Sequence, residues 1–350
     1  MSGKFNAIII PNVPQGTELG IDYNPWYVGP NFRGVKDIPS GLHFIFTSMV
    51  DQQERHAPRN GQFLYFPDDP RTKGVVLRSK WDEQNEELYS PFTECKIEDV
   101  LLDNEAALLA PYPDNKVLRT WQNLTCYIKG DTVSRLSPLC GRLSVSTQVD
   151  CTEMLEKRER QKLGIPDKED EHFQNVKIRF TVIPEKKFPD GASPSDITKY
   201  SMDNSFVLES LLSSLSCSNA EDEILGEIQF AFVCFMIGQV FDAFEHWKAM
   251  MQLICKCDES LSTRPMFFVK FFDVIMLQIK EIPEDFFVDI VAERNFLVQT
   301  LKIMFGTIKD STNLNRRLLE KAEMLKDLLI KTFDWNLELE DDEDMPVIVD

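Results

Sequence analysis

Four histidines and eight cysteines bound the acid–base and metal chemistry open to this 350-residue chain. His43 lies in the run Leu42–Phe46. On a strand its ring would face away from the side shared by Leu42, Phe44 and Phe46. His56 lies in the loop sequence HAPRNG near Asp51, and His172 in a charged stretch. A general base must reach the proton it abstracts, and His43 or His56 could serve as base in a hydrolase. The GxSxG nucleophile elbow and the Cys/His signatures that would support such a site are missing. Cys255 and Cys257 form CxC rather than the CxxC pairs of zinc sites, and the histidine nearest them in sequence is His246. Neither GxxxxGK[ST] nor GxGxxG occurs. The residue types therefore imply no catalytic set, no metal and no cofactor.

Other residues suit binding rather than chemistry. Tyr23, Trp26 and Arg33 stand in a turn-rich loop with Tyr27 and Phe32. Such side chains either cap a sheet core or anchor an interface. At the far end, Glu338–Asp344 holds six acidic residues in seven, followed by Met345-Pro346-Val347-Ile348-Val349-Asp350. Alternating β-branched residues on a flexible spacer could add as a strand to a partner's sheet edge, through Val347, Ile348 and Val349. They could equally dock on their own protein. Arg59, Arg71, Lys73 and Arg78 leave room for a weak RNA contact.

The elements that must position these residues fall into two groups. Residues 1–80 carry short apolar runs, Ala7–Ile10, Leu42–Phe46, Phe63–Phe66 and Val75–Arg78, among many Gly and Pro. That pattern predicts a small sandwich or barrel. From Ile97 the pattern turns helical, with Asp114 as cap and Val117, Trp121, Leu124 and Ile128 on one face. Residues 1–150 form the expected β-rich domain with accessory helices. Residues 151–175, densely charged and including a possible solvated helix from Glu153 to Lys162, form the expected linker. Val176–Ile183 alternates like one more strand.

Helices dominate the expected C-terminal domain, 176–336, ahead of the spacer and tail, 337–350. Ser193 and Pro194 read as N-cap and first helical residue. Leu225–Cys257 is the central stretch. Phe230–Ile237 is apolar all round, Gly238 breaks it, and Val240, Phe244, Trp247, Met251 and Ile254 recur at helical spacing. It is a buried hairpin whose His246 or Trp247, if exposed, could add to a partner groove. It loosely resembles a tetratricopeptide hairpin, without a second copy at a ~34-residue period. Stripes follow at Phe268, Phe272, Ile275 and Ile279; at Leu297, Leu301, Met304 and Ile308; and at Leu318, Ala322, Leu325 and Leu329. The class is α+β: a β-rich N-terminal domain, then an all-α bundle of about six or seven helices.

The formal charge of −19 argues against gripping a phosphate backbone as the main task. It would steer in a basic protein partner. No apolar stretch is long enough to span a bilayer. The N-terminus lacks the pattern of a signal peptide, so the cysteines are expected as thiols and the compartment as cytosol or nucleus.

Three ordered strings carry a resemblance: PQGTELGIDYNPWYVGPNFRGVKDIPSGLHF at 14–44, LGEIQFAFVCFMIGQVFDAFEHWK at 225–248 and EIPEDFFVDIV at 281–291. FPDGASPSDITKYSMD at 188–203 and the closing acidic run with PVIV extend it. The chain resembles the AAR-two splicing-factor family, assembly factors of the U-five small nuclear ribonucleoprotein. The resemblance implies a non-enzymatic assembly chaperone, monomeric when free and both cytoplasmic and nuclear. It would bind the large U-five scaffold protein, a pre-mRNA-processing factor, and keep the particle's RNA helicase from docking early. A hydrolase and a generic helical adaptor are the rival readings.

Overall fold

The computed structural model describes residues 4–337 apart from 52, 90, 103–104, 114, 145–176, 216, 218 and 284–295. The expected linker, His172, the Asp114 cap and the tail with Val347, Ile348 and Val349 lie outside the described residues. The chain divides into two compact units. The first is Met1–Thr181 with Gln229–Phe244, and the second is Val182–Ile228 with Glu245–Asp350.

The first unit holds two five-stranded sheets. One is mixed, ordered β10 (Thr93–Cys95), β7 (Val76–Arg78), β1 (Ala7–Ile9), β4 (Gly34–Lys36) and β11 (Ala110–Pro111). The other is antiparallel, ordered β12 (Leu143–Ser144), β6 (Asn60–Phe66), β5 (Gly41–Ser48), β2 (Glu18–Ile21) and β3 (Asn24–Tyr27). A short hairpin pairs β8 (Trp81–Asp82) with β9 (Glu87–Leu88).

The period of two explains the layering. Ile8 and Val35 from the first sheet meet Leu19, Ile21, Ile45 and Leu64 from the second in one core. Ala7 and Ile9, one step out of phase, face the other way and pack with Val100 of helix α1 (Ile97–Leu102). Phe44 and Phe46 likewise leave the inter-sheet core and pack with Trp121 of α2 (Asn115–Leu124) and Leu136 of α3 (Gly130–Leu136). Strand β5 is thus covered on both faces, and His43 is buried rather than solvent-facing. Gly20 is required where the Phe46 ring crosses β2: a Cβ there would stand 2.1 Å from the ring.

The β-rich, then helical architecture is present as the sequence implies. Two details differ. Ile128 is buried but lies beyond the end of α2. The described part of the Val176–Ile183 run is not a strand. Its Arg179 N–H donates to Leu136 O, at the end of a helix, and Ile178 and Phe180 insert into the core beside Leu136. Alternation reports burial of every second residue, and here an extended segment achieves that without a ladder.

Eight helices follow among the described residues: α4 (Pro194–Met202), α5 (Ser205–Ser214), α6 (Ala220–Met236), α7 (Phe241–Ile254), α8 (Asp258–Thr263), α9 (Pro265–Ile279), α10 (Phe296–Asp310) and α11 (Arg316–Phe333). Ser193 caps α4 through a reciprocal box with Asp196, and Pro194 takes the first position. All three apolar stripes read from α9, α10 and α11 are buried. Gly238 ends the α6 run, because a Cβ there would stand 2.6 Å from Cys234 O, and Gln239 turns the chain at φ 59°.

The turn between α6 and α7 belongs to the first unit. Phe230, Val233, Cys234, Ile237, Val240 and Ala243 join Phe44, Phe46 and Trp121 in one cluster. Phe63 stacks on Phe230 with centroids 4.8 Å apart. The Gln229 side chain accepts from Tyr127 N at 2.8 Å and donates to Asn123 O at 3.3 Å, closing the end of α2. In the second unit, Trp247 donates to Gln278 Oε1 at 3.0 Å, and His246 pairs with the fully buried Glu227 at 2.8 Å. His246 and Trp247 therefore complete helix packing and are not a groove.

Each large apolar side chain that residues 229–244 bury stabilises by roughly 1.5–3 kcal/mol. The sum rivals the ~5–15 kcal/mol of a whole domain. A fragment 1–181 is expected to bind a hydrophobic dye and lack a cooperative urea transition, whereas the full chain shows one.

Arg264 holds Glu209 and Glu221 at 2.7 Å each. The hydrogen bond from Arg264 keeps the Glu209 carboxyl below its ordinary 4.5. The unfolded chain protonates first as pH falls. The contribution is therefore full above 4.5 and lost through the lower folded value. Between about pH 5 and about pH 3 the wild type should lose more stability than Arg264→Met, as read by urea midpoints.

Candidate functional site

The candidate residues of the first unit gather around the β2–β3 hairpin. Ile21 pairs with Asn24, so Asp22 and Tyr23 form a two-residue turn, with Asp22 at φ 56°. That turn delivers the fully buried Asp22 carboxylate against β5. Asp22 Oδ1 accepts from Phe44 N at 2.8 Å, and Oδ2 accepts from Tyr112 Oη at 2.5 Å. His43 Nδ1 lies 2.6 Å from the same Oδ2, and Nε2 lies 2.9 Å from Pro39 O.

A carbonyl only accepts, so Nε2 carries a hydrogen. Nδ1 is held against Asp22 Oδ2, which also accepts from Tyr112. Both ring nitrogens are thus engaged, and neither is left free to abstract a proton. Burial first, and then the Asp22 charge and hydrogen bond, push the Tyr112 phenol far above its ordinary range, which keeps it a donor. The set is a buried clamp between the hairpin turn, β5 and the segment after β11.

His56 is half-exposed. Its Nε2 lies 3.4 Å from Tyr27 Oη and its Nδ1 3.4 Å from Glu18 Oε2. Neither His43 nor His56 meets a Ser, Thr or Cys in these contacts, so the geometry gives the hydrolase reading no support. Glu18 also takes both Arg59 Nη2 at 2.9 Å and Nε at 3.3 Å. Arg59 lies 4.3 Å over the Phe46 ring and donates through Nη1 to Ile237 O at 2.8 Å. These donors are spent inside the first unit rather than held ready for RNA. Arg71 is exposed and paired with Asp69, and Lys73 lies 3.8 Å from Glu98.

The three loop residues do not share a surface. Trp26 packs edge-on to Phe32 at 6.3 Å, against the inter-sheet core. Tyr23 packs with the Phe44 cluster on the other face. Arg33 donates to Phe32 O at 3.0 Å. The exposed member of the corner is Tyr27, directly across from Glu18 in the register, with 62% of its surface free. The two-residue turn at Asp22-Tyr23 fixes the register that sets Tyr27 opposite Glu18.

Cys255 and Cys257 are buried, and burial raises both thiols well above their ordinary value. Among the described residues no group of three or more His, Cys, Asp or Glu is placed to hold a metal ion. Among them, too, no helix is long and apolar enough to cross a membrane.

Two family models match this chain. One, the AAR2 N-terminal domain, covers residues 4–138, and the other, the AAR2 C-terminal repeat region, covers 180–338. The chain belongs to the AAR2 family. It is 37% identical to the human Protein AAR2 homolog over 365 residues, covering 98% of this chain and 93% of that protein. The Caenorhabditis elegans Protein AAR2 homolog is 34% identical, with 96% and 95% covered. The Saccharomyces cerevisiae A1 cistron-splicing factor AAR2 is 26% identical, with 99% and 98% covered.

An amide at Asp22 would put an N–H where a buried carboxylate oxygen now meets both Tyr112 and His43. Asp22→Asn is expected to cost about 3 kcal/mol, and Tyr112→Phe about 1 kcal/mol. Urea unfolding of the two variants measures both.

Proposed function

We propose that this chain is a pre-mRNA splicing factor that acts by binding, as an assembly chaperone of the U-five particle. The match to the AAR2 family along both units, with a relative described as a splicing factor, is the observation that carries this reading. Its partner in this reading is the large U-five scaffold protein. Its action is to cover a surface that the particle's RNA helicase needs, so the two exclude each other. No turnover of a substrate is involved. The site geometry supports binding rather than chemistry, since both ring nitrogens of His43 are committed to structure.

The net charge of −19 suits a basic, RNA-associated partner by speeding encounter and setting orientation. Two units that each touch one scaffold would gain through effective concentration. Tyr27, at the exposed corner, is an anchor of the type interfaces use. Val347, Ile348 and Val349 would supply a strand to the scaffold's sheet edge. The free chain is monomeric in this reading and works in both cytoplasm and nucleus.

Tagged full-length chain, purified from cells, should bring down the scaffold without the helicase. Recovery of the helicase in the same complex would refute mutual exclusion. Removing Met345–Asp350 should weaken scaffold binding about tenfold or more, the effect of about 1.4 kcal/mol, with an unchanged unfolding curve. Equal affinity of the shortened chain would remove the strand-addition element.

A further inference from the structure

The first unit contains a cavity of about 370 Å³ that the proposed function does not use. That volume is within the range of small-ligand sites. Its floor is apolar: Leu42, Leu118, Trp121 and Ile128. The polar atoms of that floor are committed. Trp121 Nε1 donates to Leu42 O at 2.6 Å, Thr125 Oγ1 donates to Trp121 O at 2.8 Å, and both His43 nitrogens are engaged as described.

The rim differs. Tyr65, Gln122 and Lys129 are exposed, and their side chains have no hydrogen-bond or ion-pair partner among the described residues. The chain carries 57 acidic residues, yet none of the residues lining this cavity is Asp or Glu. An apolar floor below an ammonium, an amide and a phenol, with no carboxylate opposing them, selects for one chemistry.

We propose that this cavity binds a compact apolar group that carries a carboxylate. The apolar part fills the space above Trp121 and Leu118, and the carboxylate accepts from Lys129 Nζ with Gln122 or Tyr65. A free aryl carboxylic acid and an aromatic residue beside a glutamate in a peptide share that chemistry.

Cys126 supplies the readout. It lines the cavity and is exposed, while Cys217, exposed in the second unit, lies outside it. The full-length protein is alkylated with iodoacetamide, and each cysteine is followed by mass spectrometry. The probes come in matched pairs: indole-3-acetate against indole-3-acetamide, and acetyl-Trp-Glu-Glu-amide against acetyl-Trp-Gln-Gln-amide.

The acidic member of at least one pair should protect Cys126 at about fivefold lower concentration than its neutral twin, the effect of one exposed charge pair near 1 kcal/mol. Cys217 should be unaffected. Lys129→Met should abolish the difference and leave the neutral probe's protection unchanged. A preference in the free-acid pair alone identifies a small molecule as the source, and one in the peptide pair alone identifies a protein segment. Equal protection by acid and neutral twin, no protection by any probe, or equal protection of Cys126 and Cys217 would overturn the proposal.

Discussion

The first unit depends on where the Arg59 guanidinium goes. It extends from the residue just before β6, lies over the Phe46 ring, grips Glu18 with two nitrogens, and gives a third to the carbonyl of Ile237. That carbonyl lies just past the end of α6, where unsatisfied oxygens and the helix dipole concentrate negative charge. A lysine could not do this. Its ammonium is a compact point charge, whereas the planar fork serves a carboxylate and a carbonyl at once while stacking on a ring. The interaction is partly buried, so screening by salt acts on it less than on an exposed pair. It ties β2, β6 and the α6–α7 turn into one body.

The consequence reaches the histidine chemistry. With the turn in place, the outer face of the second sheet is covered, and Phe44, Phe63 and Phe230 form one aromatic stack beside Trp121. Strand β5 is then covered on both faces, and His43, on the side that faces the first sheet, is buried where a polar ring needs protein partners. His43 is satisfied by Asp22 and Pro39 O. A histidine that looks like a base in the sequence is therefore a structural strut, and its Asp22 partner is fixed in turn by Tyr112 and Phe44 N.

Local signals in the sequence were legible where local physics decides. The Ser193–Pro194 helix start, the Gly238 turn and the stripes of α9 to α11 follow from capping, close backbone approach and the 3.6-residue period. Three features were not legible, each for a reason. Partners such as Asp22 and His43, or Arg59 and Ile237, are brought together by register and packing between elements, which periodicity does not encode. The run after residue 176 alternates because every second side chain enters a core, and alternation alone does not distinguish that from strand pairing. The first unit is discontinuous in sequence, and a reading by composition draws boundaries only along the chain. Of the candidate interface residues, Trp26 and Tyr23 were recognisable as aromatic but not as facing opposite cores, whereas Tyr27 became visible only from the hairpin register.

Large exposed apolar side chains are spread over many elements, among them Tyr27 on β3, Tyr65 on β6, Ile197 and Met202 on α4, Phe241 at the start of α7, and Leu319, Met324 and Ile330 on α11. A single residue of this kind contributes little to a stable complex, because association costs several kcal/mol of lost freedom. Footholds spread over two units overcome that cost when they engage one large partner, since each contact after the first is intramolecular. Under the proposed function, the same arrangement would make release sensitive, since losing one foothold forfeits the effective concentration supporting the others. A protein that must hold a surface and later give it up gains from many modest contacts rather than one tight anchor.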